Sequence, residues 1–189
     1  PITLQERMHV TCNEFEKPAS SSSSQSIVSN DSSFVLYLPT VVLRHQHNPA
    51  LALACRLANH YQLPLVILCV VLDDAHHPLM NVNMNDDASS NDNAESNIVA
   101  TARRLTFYLQ ALQKATRDWR DELGNAATVL VRVHGPSART PHHLTLARQA
   151  AVTVQDEPFV HPYLHMVQAV ERACVSSKTP CVRVDGSTT

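Results

Sequence analysis

The chain has 189 residues, 44% of them apolar, and 15 basic against 17 acidic side chains for a formal charge of -2, which is the length of one ordinary domain with apolar side chains enough for one core. No Lys/Arg-rich run marks a footprint for nucleic acid, and no stretch reaches the roughly 18 consecutive apolar residues of a membrane span. The N-terminus lacks the charged-then-apolar order of a secretory signal, so the chain reads as intracellular.

Residues 1–33 read as an N-terminal extension, largely flexible, because the serine-rich stretch 17–33 has too few apolar side chains to offset the entropy of ordering it. Residues 34–43 (FVLYLPTVVL) are β-branched and aromatic enough for a first strand, whose pairing Pro39 ends or bends. Asn48 then caps a helix with Pro49 in its first turn, and Leu51, Ala54, Leu57, Ala58 and Tyr61 recur at helical spacing. Residues 63–72 (LPLVILCVVL) are apolar on both faces, as a central parallel strand covered from both sides must be. A polar insertion at 81–97, rich in Asn, Asp and Ser, is a surface loop.

Beyond it, Ile98, Ala102, Leu105, Leu109, Leu112, Trp119 and Leu123 step by fours and threes along one face of a long helix, which Gly124-Asn125 closes. Residues 127–133 form a third strand, 138–149 a shorter helix and 151–154 a fourth strand. Pro162 opens a last helix with Tyr163, Val167, Val170 and Cys174 on one face, and 181–184 is a fifth strand. The fold class is therefore α/β, a Rossmann-like doubly wound sheet of five parallel strands in the order 3-2-1-4-5 with helices on both faces. The domain covers 34–185. Pro1 and the stop at 187–189, directly after a strand, read as the ends of a piece cut from something longer, with 186–189 starting a linker to a C-terminal domain.

The chemistry such a domain can carry is bounded first by its glycines. Only Gly124, Gly135 and Gly186 exist, so neither G-x-G-x-x-G nor G-x-x-x-x-G-K-[ST] is possible and the phosphate cradle made by close backbone approach is missing. Cys12, Cys55, Cys69, Cys174 and Cys181 contain no C-x-x-C pair and read as buried free thiols of a reducing compartment. His161 and His165 have the spacing of two ligands on one ion, but no third ligand is placed beside them, and no metal site is assigned. His45, His47 and Asp156 with Ser137 or Ser176 lack the elbow that positions a nucleophile, so no catalytic residue is assigned either. In a sheet of this order, ligands lie beyond the carboxyl ends of the strands where the winding reverses. The loops there are 44–51 and 154–159.

The spacing of Arg44, Asn48, Pro49, Ala50 and Leu51 after a first strand resembles the N-terminal antenna domain of the DNA photolyase/cryptochrome family. The strand beginning Leu63-Pro64-Leu65-Val66, the helix segment Arg103-Arg104-Leu105-Thr106-Phe107-Tyr108-Leu109 and the turn after the fourth strand resemble it too, over roughly 34–185. The spread of apolar segments, with a short stretch at 7–10 ahead of the first strand, is most similar to class II cyclobutane-dimer photolyases. The family places an acidic residue just before the Asn, where this chain has His47.

The resemblance implies an antenna-chromophore and docking domain of a photolyase-like flavoprotein for light-driven DNA repair, with a folate or deazaflavin in this domain. Arg44, Asn48 and Asp156 would form its binding edge. FAD would sit in a C-terminal helical domain, the partner through which damaged DNA is met. This chain has one tryptophan, Trp119, whereas a flavin electron-transfer path uses several, so it is not catalytic alone; the full-length protein would be the deoxyribodipyrimidine photo-lyase. Two alternatives stay open: a cryptochrome-type photoreceptor domain, and a stand-alone nucleotide-binding module like the universal stress proteins, whose glycine-rich turn after strand four is here Asp156-Glu157-Pro158.

Overall fold

Apolar alternation decides which strands lie inside the sheet. In the computed structural model, which describes residues 8–10, 34–40, 42–72, 102–134, 141–158 and 163–186, the strand Leu65–Leu72 buries both faces. Leu65, Ile67, Cys69 and Val71 enter one core cluster, while Leu68 and Val70 enter the other. A strand apolar on both faces is stable only with helices above and below it.

In chain order the elements are β1 (Met8–Val10), β2 (Val35–Leu38), α1 (Pro49–Tyr61), β3 (Leu65–Leu72), α2 (Ala102–Leu123), β4 (Ala127–His134), α3 (His142–Gln149), β5 (Val152–Asp156), α4 (Tyr163–Ser177) and β6 (Cys181–Val184). The sheet runs β1-β6-β5-β2-β3-β4. The five strands from β2 to β6 pair in parallel, in the order 3-2-1-4-5 that the alternation of strands and helices predicts. To these the structure adds β1, antiparallel to β6 with Met8 opposite Val184. The rest of the N-terminal extension, the insertion at 81–97 and residues 187–189 lie outside the described residues.

The two cores lie on opposite faces. Ala50, Leu51, Ala54 and Ala58 of α1 and Leu112, Ala115 and Trp119 of α2 cover one face; Ala147 of α3 and Met166, Val170 and Cys174 of α4 cover the other. Helix α1 starts where Asn48 accepts a hydrogen bond from the Leu51 N–H at 2.9 Å, with Pro49 in the first turn, and ends at Gln62 in the left-handed region. Gly124, at φ +53, takes the left-handed turn that follows α2. No helix among the described residues is long and apolar enough to cross a membrane.

Candidate functional site

Winding reverses between β2 and β5, which are hydrogen-bonded neighbours with Tyr37 opposite Val154. Strand β2 continues to α1 and β3 on one side, while β5 leads to α4 and β6 on the other. The carboxyl ends of these two strands are the switch point at which α/β sheets carry their ligands. Here three buried polar side chains meet on the α1 face of the sheet.

Asp156 ends β5 with a fully buried carboxylate. One of its oxygens accepts from the Tyr37 hydroxyl at 3.0 Å, and the other accepts from the Thr40 N–H at 2.9 Å and the Val42 N–H at 3.1 Å. The Tyr37 oxygen accepts in turn from Asn48 Nδ2 at 2.9 Å. That amide group also donates to the Arg44 carbonyl at 3.0 Å and reaches the Val42 carbonyl at 3.4 Å, while its oxygen caps α1. Four backbone groups of the loop after β2 are thereby tied to the side chains of Asp156 and Asn48. Each backbone group held in this way narrows the conformations open to the loop.

Pro39 is the cause of this arrangement: it ends β2 and turns the chain, so the amides of Thr40 and Val42 need an acceptor that is not a neighbouring strand. Asp156 supplies it because 152, 154 and 156 share the face on which Tyr37 lies. The outer rim is pinned as well. His45 approaches Asp118 at 3.5 Å and Glu122 at 3.8 Å on α2. The turn after β5 is held by the Glu157 N–H on the Val184 carbonyl at 2.9 Å, and by Arg183 beside Glu157 and Glu171 at 3.5 and 3.3 Å. A Cβ on Gly186 would come to 3.0 Å from Val42 Cγ2, so the exit of β6 lies directly on the exit of β2.

Of the three residues predicted for a binding edge, the structure brings Asn48 and Asp156 together through Tyr37, with their polar atoms turned inward. Arg44 joins them through its carbonyl, and its side chain is exposed at the mouth of the loop. Tyr37 is the residue that sequence reasoning missed; the signal was one hydroxyl in an otherwise apolar strand. His45, His47 and Asp156 do not gather: His45 turns to α2, His47 is exposed and Asp156 is bonded to Tyr37. Ser176 donates to the Ala173 carbonyl within α4, while Ser137 and His161 lie outside the described residues. Among the described residues no three His, Cys, Asp or Glu side chains gather as a metal site requires.

Burial, and after it the negative Asp156, push the Tyr37 hydroxyl well above its ordinary 10.0, and the same two causes in the same order push Cys69 from 9.0 up to about 12. Both groups hold their protons more tightly folded than unfolded, so their contribution to stability is complete below pH 9.0 and declines as pH rises toward about 12. Urea midpoints measured through that interval are expected to fall steadily; a flat profile would contradict the buried environment described for these two groups.

No protein-family profile matches the chain, and no curated protein matches it in sequence. Among solved structures, a universal stress protein crystallised in complex with cAMP superposes with a TM-score of 0.42 at 14% identity, over 83% of this chain and 99% of that one. The likeness is one of general α/β arrangement.

Proposed function

We propose that this chain is the chromophore-positioning α/β domain of a photolyase/cryptochrome-like flavoprotein. It holds a flat light-absorbing heterocycle, a reduced folate or a deazaflavin, at the edge between β2 and β5, and it docks a helical domain that carries FAD and meets damaged DNA. The observation that carries this reading is the buried Asn48–Tyr37–Asp156 lock at the switch point. It sits in the segment whose residue spacing resembles the family's.

An antenna needs no reacting group. It absorbs light and passes the excitation through space, so its host must fix distance and orientation and exclude motion. A loop held by four side-chain hydrogen bonds, from the Thr40 and Val42 amides to Asp156 and from Asn48 to the Val42 and Arg44 carbonyls, meets that requirement. The polar atoms of Asn48 and Asp156 are spent inside the fold, which makes both of them positioning residues. Arg44, exposed at the rim, is the group that would meet the anionic tail of a folate or deazaflavin. In this reading the ligand's ring would lie along the edge and its charge would be met by Arg44. The turn after β5 begins Asp156-Glu157-Pro158 with no glycine, which counts against a phosphate cradle made by close backbone approach.

The test is fluorescence titration of the full chain with methenyltetrahydrofolate and with a deazaflavin, using ATP as the comparison. Saturable binding of one chromophore is expected, weakened about tenfold, or 1.4 kcal/mol, by Arg44→Glu. Binding of ATP with no chromophore binding would replace this reading with that of a nucleotide-binding module.

A further inference from the structure

The two edges of the sheet are finished differently. At one edge β1 adds antiparallel to β6. At the other, β4 pairs with β3 along its whole length, from Ala127 opposite Leu65 to His134 opposite Leu72, and no strand among the described residues pairs with its outer side. Proteins usually blunt such an edge with a proline, a bulge, a very short strand or several charges. Strand β4 has eight residues, an unbroken register, no proline and one charged side chain, Arg132. Leu130, Val131 and Val133 are 41%, 48% and 51% exposed, and Leu109, 43% exposed, extends the apolar strip onto α2.

We propose that this edge receives a second copy of the chain, β4 against β4 in antiparallel sense across a two-fold axis, so that two sheets become one. The strand is complementary to itself. With Val131 opposite its own copy, Val129 meets Val133 on the face of α1 and α2, and Leu130 meets Arg132 on the other face. β-Branched and aliphatic side chains placed directly opposite stabilise such a pair, and each Arg132 lies over a leucine instead of its own copy. Centring the pair on Arg132 would set like charges face to face, so the charge selects the register. Beside the strand, Arg117, Arg120 and Asp121 line the same groove as Leu109 and Val131 and bring both signs to the flank, as a surface that docks on itself requires. This inference is independent of what the switch point binds.

Sedimentation equilibrium of the full chain, from the low micromolar to the submillimolar range, is the measurement. The mass is expected to rise from the 20.9 kDa monomer toward twice that value. Val131→Glu puts two carboxylates opposite each other at the axis and is expected to weaken association at least tenfold. Leu130→Glu places its carboxylate opposite Arg132 of the partner subunit and is expected to keep the dimer, with a stronger dependence on salt. Both positions are exposed, so circular dichroism should show both variants folded. A monomer at every concentration overturns the proposal, as does a dimer that Val131→Glu leaves intact or that both substitutions weaken alike.

Discussion

Asp156→Ala is expected to cost the fold about 3 to 5 kcal/mol, the largest effect of any single polar substitution in the switch point. The carboxylate is fully buried and satisfies three donors at once, and alanine leaves all three without an acceptor. Orphaned buried donors carry the full cost of lost hydration, and bonds to a charged acceptor are worth roughly twice neutral ones. Asp156→Asn separates the charge from the geometry. Its carbonyl oxygen still accepts from Thr40 and Val42, but its amide meets the Tyr37 hydroxyl with a second donor, so a loss of about 1 to 2 kcal/mol is expected. Equal losses in urea unfolding for the two variants would mean that the negative charge, which both remove, carries the whole contribution and the geometry that asparagine keeps carries none. With total stabilities of about 5 to 15 kcal/mol, the alanine variant stands close to unfolding at ordinary temperature.

The parallel core of the fold is legible in the sequence because each strand is a run that no helix pattern explains. Residues 63–72 are apolar on both faces, and that alone places β3 inside the sheet. The last strand, 181–184, matches its bounds because Pro180 and Gly186 punctuate it. Strand β1 has three residues, too few to show any periodicity, and its pairing with β6 depends on contacts 172 or more positions apart. The face of α2 is legible at Leu105, Leu112, Trp119 and Leu123 and departs from the sequence pattern at Leu109. Leu109 fits the step of fours and threes, yet the buried stripe runs through Leu112, Ala115 and Trp119, with Leu105, Tyr108 and Leu123 partly covered. Leu109 is turned to the rim because β4, the strand under it, is the last of the sheet among the described residues, and no described strand beyond it supplies a wall.

The candidate site was legible in position but not in role. Asn48 declares itself as a helix cap by its place before Pro49, and Asp156 by standing at a strand exit. What no spacing reveals is that both point at a tyrosine 11 residues from one and 119 from the other. A polar group in a core strand finds its partner through the register of the sheet, and register is set by all the strands together.

That shared tyrosine separates Asn48 from an ordinary cap, and substitution at this position should show it. At a simple N-cap, asparagine and aspartate are nearly equivalent, and alanine costs about 1 kcal/mol. Here the side-chain oxygen does the capping, on the Leu51 N–H, while the amide nitrogen serves Tyr37, Arg44 and Val42. Asn48→Asp keeps the cap but sets a carboxylate oxygen against the Arg44 and Val42 carbonyls, with the charge of Asp156 one hydroxyl away. The expected loss is about 2 to 3 kcal/mol for aspartate as well as for alanine, measured by urea unfolding. The loss should couple to Asp156, since removing either residue already breaks the chain of bonds through Tyr37. The double variant Asn48→Ala/Asp156→Ala should therefore cost less than the sum of its parts by about 0.5 to 3 kcal/mol. Strict additivity, or an aspartate variant as stable as the parent, would reduce Asn48 to a cap and leave the loop after β2 held by Asp156 alone. The edge would then lack the rigidity that a fixed chromophore needs.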